Sequence, residues 1–109
     1  MKRLLFILFI GINIIGFGQS PFNIHWVSSI GGLNQENANS VEETSDGGLI
    51  MVGFSNSNSG DVSENNGFSD YWVVKLDQQG NISWEKSFGG SSYDKAYDIK
   101  QTNDGGYII

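Results

Sequence analysis

A polar segment, 55–70, contains the side chains best suited to hold a metal ion. Four of them offer the oxygen ligands that Ca²⁺ prefers: Asp61, Ser63, Asn65 and Asp70. Their spacing departs from an EF-hand loop, because Gly67 stands one position late and no Glu occupies the twelfth position. The alternative is a solvated loop built from turn-forming residues. We therefore predict a candidate calcium site here, with the plain loop as the other interpretation.

Aromatic side chains offer a second kind of site, a platform on which a sugar ring could stack. Tyr71 directly follows the polar segment and is the best placed of them. Trp26 and Trp84 stand at equivalent positions of an internal repeat, and positions that recur in every repeat usually serve packing. We therefore expect the two tryptophans in the core and take Tyr71 as the candidate sugar-binding residue.

Paired carboxylates could act as acid and base in glycoside hydrolysis. Five are available: Glu42, Glu43, Glu64, Glu85 and Asp98. Nothing in their spacing places two of them across a cleft, and adjacent residues of a strand point to opposite faces. His25 is the only imidazole, and no serine elbow or cysteine accompanies it. The sequence thus predicts no catalytic residue, and no cofactor other than the calcium considered above.

The elements that position these residues follow from an internal repeat. Residues 23–51 align without a gap with residues 81–109, a spacing of 58, and twelve of the 29 positions are identical. Tandem repeats of this size are single supersecondary modules that bury their apolar faces against neighbours. We therefore expect a modular protein in which one unit stacks on the next, and the chain spans fewer than two units.

The sequence of each unit predicts four strands. Short β-branched and aromatic runs, separated by Gly, Asn, Ser and Asp, predict strands at 37–44, 49–54, 70–76 and 81–88. The second of these is apolar on both faces, as in a strand buried within stacked sheets. Alternation in the last one places Ile82, Trp84, Lys86 and Phe88 on one face. The predicted fold class is all-β, with the four strands joined as an antiparallel meander.

Four strands in a repeat of this length are typical of a β-propeller blade. The segment 22–27 matches the last strand of a blade, so we divide the chain into a last-strand element (19–35), a full blade (36–90) and the start of the next blade (91–109). This amounts to about one and a half blades. A right-handed β-solenoid is the alternative, although its coils are usually half as long.

Two resemblances support the propeller. The stretch Asp77 to Trp84 is similar to the outer-strand motif of quinoprotein propellers, but it lacks the Thr before Gly80 and has a shorter spacing from Asp to Gly. Quinone binding is therefore not implied. The run Asp70 to Ile109 more closely resembles the repeat of large secreted proteins of Bacteroidetes-type bacteria. That resemblance implies a non-enzymatic β-propeller, in proteins that often end in a sorting domain for type IX secretion.

The N-terminus predicts export from the cell. Lys2 and Arg3 precede an apolar run of about fourteen residues, and small residues at Gly16 and Gly18 fit cleavage after residue 18. We therefore predict a signal peptide at 1–18 and a secreted protein, extracellular or at the cell surface. The apolar run is shorter than the ~20 residues of a membrane-spanning helix. The chain has no cysteine for disulfides or lipid attachment, so we expect its stability to come from stacking on further blades.

The overall charge disfavours nucleic acid as a partner, because the net charge is −6 and no basic stripe is present. The function indicated is a secreted, non-catalytic propeller repeat protein with an extracellular binding or surface-attachment role. Its expected partners are further blades of the same protein and extracellular polysaccharide or protein. The alternatives are the N-terminal part of a propeller hydrolase acting on polysaccharide, and a prematurely ended reading frame without a function of its own.

Overall fold

The structure is a computed structural model that describes residues 3–4 and 24–109. The predicted signal peptide, 1–18, lies outside the described residues except for strand β1, Arg3–Leu4. That strand pairs antiparallel with β2, Ser28–Ser29. The segment 24–27, for which a terminal blade strand is predicted, is not in a strand.

The main sheet contains four antiparallel strands, and its strand order is the chain order. The strands are β3 (Glu36–Glu43), β4 (Leu49–Ser55), β5 (Asp70–Leu76) and β6 (Ile82–Phe88). The prediction of an all-β fold with a four-stranded antiparallel meander is confirmed for the residues that the structure describes. None of the sheets within the described residues closes into a ring.

A smaller sheet follows, in which β7 (Lys100–Gln101) pairs antiparallel with β8 (Tyr107–Ile108). These two strands lie within the second copy of the repeat. No helix long and apolar enough to cross a membrane is found in the part of the chain that the structure describes.

The tight turns depend on glycines in the left-handed conformation. Gly47 has φ 79° in the turn from β3 to β4, and Gly80 has φ 82° in the turn from β5 to β6. A residue with a Cβ is strained at such angles, whereas glycine is not. The Asp-Gly and Gln-Gly pairs therefore mark the two hairpins correctly in the sequence.

Both faces of the main sheet are apolar at its two central strands. Successive side chains of a strand point to opposite sides, and β4 and β5 bury both sets. We call the side that carries Ile50, Val52 and Val73 face 1, and the side that carries Met51, Trp72, Val74 and Leu76 face 2. A sheet of this kind needs cover on both sides.

Each face is covered by a different part of the chain. Ala96 and Ile99, which follow the sheet, are buried against face 1. Trp26 and Ile30, which precede the sheet, pack against face 2 together with Val62 from the β4–β5 loop. The sheet is therefore enclosed between the segments that come before and after it in sequence.

A bulge in β6 changes the alternation predicted for that strand. Leu76 pairs with Ile82 and Lys75 pairs with Trp84, so Ser83 has no partner on β5. Such an extra residue shifts the following side chains to the other face. Ile82 accordingly packs with the face 2 cluster, while Trp84 contacts Tyr107 on the opposite side. The prediction of one shared face is wrong for Ile82, and Trp84 remains 40% exposed instead of buried.

Truncation of Ile50 tests the two-sided core. Ile50 is completely buried, so Ile50→Ala should lower the free energy of unfolding by about 2–5 kcal/mol through lost contacts and a cavity. The measurement is urea denaturation followed by tryptophan fluorescence. Leu33→Ala is the control, because Leu33 is 90% exposed and its truncation should change stability by no more than about 0.5 kcal/mol. Equal losses in both variants would contradict the assignment of the core.

Candidate functional site

Paired glycines and a carboxylate form the same local structure in both copies of the repeat. The N–H of Gly32 donates to Glu36 Oε2 at 3.0 Å. The N–H of Gly90 donates to Asp94 Oδ2 at 2.8 Å. In each copy the carboxylate stands four residues after the second glycine and accepts from its backbone. An acidic side chain therefore fixes the loop that leads from one repeat to the next.

The first glycine of each pair is required because the carboxylate closes over it. Any Cβ at position 31 would lie 2.8 Å from Glu36 Oε2, and one at position 89 would lie 2.8 Å from Asp94 Oδ2. Position 89 is more crowded than position 31, because a Cβ at position 89 would also lie 2.5 Å from Asp70 Oδ1. Gly89 therefore marks a point where two carboxylates converge.

Asp70 is the more buried of these two carboxylates. It begins β5 and is fully buried. Its Oδ2 accepts from the backbone N–H of Asn66 at 2.8 Å and from the side-chain amide of Asn66 at 3.1 Å. Its Oδ1 is buried and has no hydrogen-bond partner. An orphaned carboxylate oxygen inside a protein is energetically costly, so this atom is the most unusual polar group among the described residues.

The four residues of the predicted calcium site have separate roles in the structure. Asp61 Oδ2 accepts from the N–H of Gly31 at 2.9 Å, and Asn65 Oδ1 accepts from the N–H of Gly67 at 3.1 Å within its own turn. Ser63 is exposed, and Asp70 is bound by Asn66. Across residues 24–109 no group of three or more His, Cys, Asp or Glu side chains could hold a metal ion. Calcium binding by this set of residues stays a prediction.

Asp94 is the spatial partner of Asp70, and the spacing of residues along the chain does not predict this pair. The two residues are 24 positions apart, and the loop 66–69 brings them together. Its backbone runs beside the second repeat, where Phe68 N–H donates to Ser92 O at 3.1 Å and Asp94 N–H donates to Ser69 O at 2.7 Å. The available signal was the repeat alignment, in which Glu36 and Asp94 are acidic at equivalent positions.

The aromatic residues are arranged differently from the prediction. Tyr71 is half-buried, packs against the face 1 cluster and stacks on Phe88 with ring centroids 5.1 Å apart. Phe68 and Tyr93 stack on each other at 5.3 Å, and each is 66% exposed. Sugar stacking on Tyr71 stays a prediction, but the exposed pair of Phe68 and Tyr93 offers the larger accessible aromatic surface.

A second polar cluster lies at the other end of the sheet, around the turn from β3 to β4. Lys75 is buried, and its Nζ lies 3.1 and 3.0 Å from the two carboxylate oxygens of Asp46 and 2.9 Å from Leu76 O. The pKa of the Asp46 carboxyl is held well below its usual range, mainly by the hydroxyl of Thr44. The Gly48 N–H and the Lys75 ammonium lower it further.

The remaining carboxylates act as internal hydrogen-bond acceptors. Glu85 accepts from the indole N–H of Trp72 at 2.6 Å, Glu42 accepts from the backbone of Gln101, and Asp98 accepts from the hydroxyl of Ser40. Glu43, Glu64 and His25 are exposed. The described residues thus use most of their charged groups to hold the backbone and the neighbouring repeat.

Comparison of the chain with models of known protein families and with curated proteins finds no match in either set. Function is therefore inferred from the repeat and from the contacts described above.

Substitution of Asp46 tests the cluster around Lys75. Asp46→Asn should lower the melting temperature at pH 7, because it leaves a buried ammonium without its counter-charge. A carboxyl whose pKa is lower in the folded chain stabilises the fold above its unfolded pKa of about 3.9, and this contribution is lost as the pH falls toward the folded value. The difference in melting temperature between wild type and variant should therefore shrink below about pH 4.

Asp104→Asn is the matched control, because Asp104 makes the same bonds to Thr102 and Gly106. No ammonium group contacts it within the described range. Its substitution should have a smaller effect at pH 7. If the two variants had the same melting temperature at every pH, the ion pair between Asp46 and Lys75 would contribute nothing to the stability of the fold.

Proposed function

We propose that the protein is a secreted, non-catalytic repeat protein of the β-propeller type that binds extracellular polysaccharide. The observation that carries this proposal is that the two copies of the repeat touch each other at equivalent positions. Five properties support it in turn: the register of those contacts, the packing of the repeated tryptophans, the strand content of one unit, the arrangement of the carboxylates and an exposed aromatic surface.

The contacts between the two repeats join residues about one repeat length apart. Ser40 Oγ donates to Asp98 Oδ1 at 2.8 Å, and Lys100 Nζ lies 3.6 Å from Glu42 Oε1; each pair is separated by 58 residues. Three further hydrogen bonds join residues 56, 57 and 59 apart. Offsets within two residues of one repeat mean that the second unit lies beside the first with the same chain direction. Blades of a propeller and coils of a solenoid both stack in this way.

The tryptophans repeat the same relation on successive units. Trp26 packs against the face 2 cluster, as does Leu49. Trp84 meets Tyr107 edge to face with ring centroids 6.0 Å apart. Trp26 and Trp84 are equivalent in the repeat, and so are Leu49 and Tyr107. Each tryptophan thus packs on the unit that follows it, Trp26 in the same cluster as Leu49 and Trp84 against Tyr107 itself, which supports a periodic assembly.

The strand content of one unit favours a propeller over a solenoid. A four-stranded antiparallel sheet in chain order is the standard blade, whereas solenoid coils are usually about half this length. In this proposal 36–90 is a full blade, 19–35 completes a preceding one and 91–109 begins the next. Further blades of the same protein are then its first partners.

The arrangement of carboxylates supports a non-catalytic role. An acid–base pair for glycoside hydrolysis must reach the sugar, with its carboxyl groups on either side of the scissile bond. Asp70, which has a carboxylate neighbour in Asp94, is fully buried and cannot reach a polymer. Glu42, Glu85 and Asp98 are hydrogen-bonded to other parts of the fold.

The aromatic pair supports polysaccharide as the ligand. Phe68 and Tyr93 stack with an angle of 17° between their rings, and both are largely exposed. A flat exposed aromatic surface is costly in water unless it has a partner, and the apolar face of a sugar ring is a good one. The predicted signal peptide, 1–18, would deliver this surface outside the cell.

Disulfide trapping tests the stacking of the repeats. The chain contains no cysteine, so Ser40→Cys combined with Asp98→Cys introduces a single possible pair. Because the two native side chains are within hydrogen-bonding distance at 2.8 Å, oxidation should close a disulfide readily, seen as a mobility shift that dithiothreitol reverses. Ser40→Cys combined with Gln79→Cys is the control, since Gln79 lies in the β5–β6 turn, away from β3. Equal yields in both variants would contradict the stacked register.

Polysaccharide retention tests the binding role. The chain should be retained by one or more insoluble polysaccharides, such as cellulose, chitin or xylan, without releasing reducing sugars. Loss of the aromatic pair in Phe68→Ala or Tyr93→Ala should weaken retention by roughly threefold to tenfold, as expected for one aromatic contact. Tyr97→Ala is the control, because Tyr97 is at least as exposed but stacks on no ring among the described residues.

Two results would count against the proposed role. Retention that falls equally in Tyr97→Ala would show that the aromatic pair is not the binding surface. Release of reducing sugars by the wild-type chain would favour the alternative, a propeller hydrolase.

A further inference from the structure

The buried oxygen of Asp70 requires a hydrogen-bond donor, a proton or a cation as its partner. Asp70 is fully buried, and its Oδ1 has no hydrogen bond. An ionised carboxylate is strongly disfavoured in the interior unless both oxygens are compensated. The two donors from Asn66 compensate Oδ2 alone. Something else must neutralise the charge at Oδ1.

The neighbouring side chain increases this requirement. Asp94 Oδ2 and Asp70 Oδ1 both lie within 3 Å of the Cβ position of residue 89, so two carboxylates face each other across Gly89. Two carboxylates this close to one point repel each other when both are ionised. Carboxylate pairs of this kind in proteins share a proton or hold a cation between them. The single N–H of Gly90 donates to Asp94 Oδ2, which leaves its other oxygen available.

The lysines of the described region are engaged elsewhere. Lys75 binds Asp46, and Lys100 lies beside Glu42. Lys86 lies over the ring of Phe88, and Lys95 lies over the ring of Phe54, 4.6 Å from its centroid. No other basic side chain occurs within residues 24–109 apart from His25, which is exposed. No ammonium group of this region therefore compensates the carboxylate pair.

We propose that Asp70 and Asp94 bind a calcium ion at Gly89. Calcium prefers carboxylate oxygens at 2.3–2.6 Å, accepts irregular geometry and completes its shell with water. Magnesium demands a near-ideal octahedron, and zinc prefers nitrogen and sulfur ligands that are not provided here. With two protein carboxylates, the affinity should lie in the range of extracellular modules, about 10⁻⁴–10⁻³ M. This site shares Asp70 alone with the set Asp61, Ser63, Asn65 and Asp70.

The ion would join two segments that differ in their place in the repeat. Asp70 ends the long β4–β5 loop, whereas Asp94 lies within the second copy. Between them the backbone is already linked, since Asp94 N–H donates to Ser69 O at 2.7 Å. Phe68 and Tyr93 stand next to these linked residues. Calcium would therefore order the exposed aromatic pair. The site depends on contacts within residues 66–94 alone, so it does not require that the repeats form a ring.

Calcium titration of the full chain tests the site. In wild type, raising free calcium from an EDTA-treated sample to about 10 mM, roughly ten times the weakest expected dissociation constant, should raise the melting temperature by several degrees. Asp94→Asn should abolish this shift. It should also melt no lower than wild type in EDTA, because it removes a repelling charge. Equilibrium dialysis with ⁴⁵Ca should find one ion bound per wild-type chain and none per Asp94→Asn chain.

Two control variants separate this site from other causes. Asp61→Asn removes a carboxylate of the sequence-predicted set and should keep the calcium response. Glu43→Gln removes the same charge from an exposed position and should keep it as well. Loss of the response in Asp61→Asn, with retention in Asp94→Asn, would overturn the proposal in favour of the sequence-predicted set.

The shared proton is the other outcome that would overturn the proposal. In that case wild type would bind no calcium, and its melting temperature would rise as the pH falls from 7 to 5. Asp94→Asn would lose that rise. A calcium response that survives in Asp94→Asn would overturn the proposal too, whichever residues supply the ligands.

Discussion

The four-stranded sheet has two apolar faces, and segments before, within and after it in the described chain cover them. Ile50, Val52 and Val73 form one face and Trp72, Val74 and Leu76 the other. Burial of these side chains is the dominant favourable term in folding. A single sheet cannot bury both of its faces by itself, so a segment before it and a segment after it must pack on opposite sides. Dependence on the neighbouring repeat is therefore built into the composition of the two central strands.

Polar contacts then determine the position of the second repeat on the sheet. Apolar packing is not directional, and it would allow the second repeat to slide along face 1. The hydrogen bond from Ser40 to Asp98 and the approach of Lys100 to Glu42 join equivalent positions of the two copies. These exposed pairs contribute little stability, but they fix the register. Their effect is to hold the second unit at one position on the first.

The carboxylates of the glycine loops have a similar positioning role, with a different consequence. In the first copy Glu36 accepts from Gly32 and from the hydroxyl of Ser55, so both of its oxygens are compensated. In the second copy Asp94 closes over Gly89 beside the buried Asp70. The same motif is repeated with a shorter acid and a different neighbour. In the first copy both carboxylate oxygens have donors, whereas the pair in the second copy contains one buried oxygen without a partner, Asp70 Oδ1. The pair Asp70 and Asp94 also lies close in sequence to the exposed, stacked rings of Phe68 and Tyr93.

The sequence by itself determined the repeat, the all-β class, the four strands to within a residue at each end and the hairpin glycines, because these depend on local spacing and on backbone conformation. Tertiary structure alone decided the rest. The bulge at Ser83 reverses the face of Trp84 relative to Ile82, and simple alternation does not reveal an unpaired residue. The pairing of Asp70 with Asp94, and of Phe68 with Tyr93, joins residues 24 and 25 positions apart. Such pairs depend on how the long loop lies over the next repeat, which no local pattern of residues specifies.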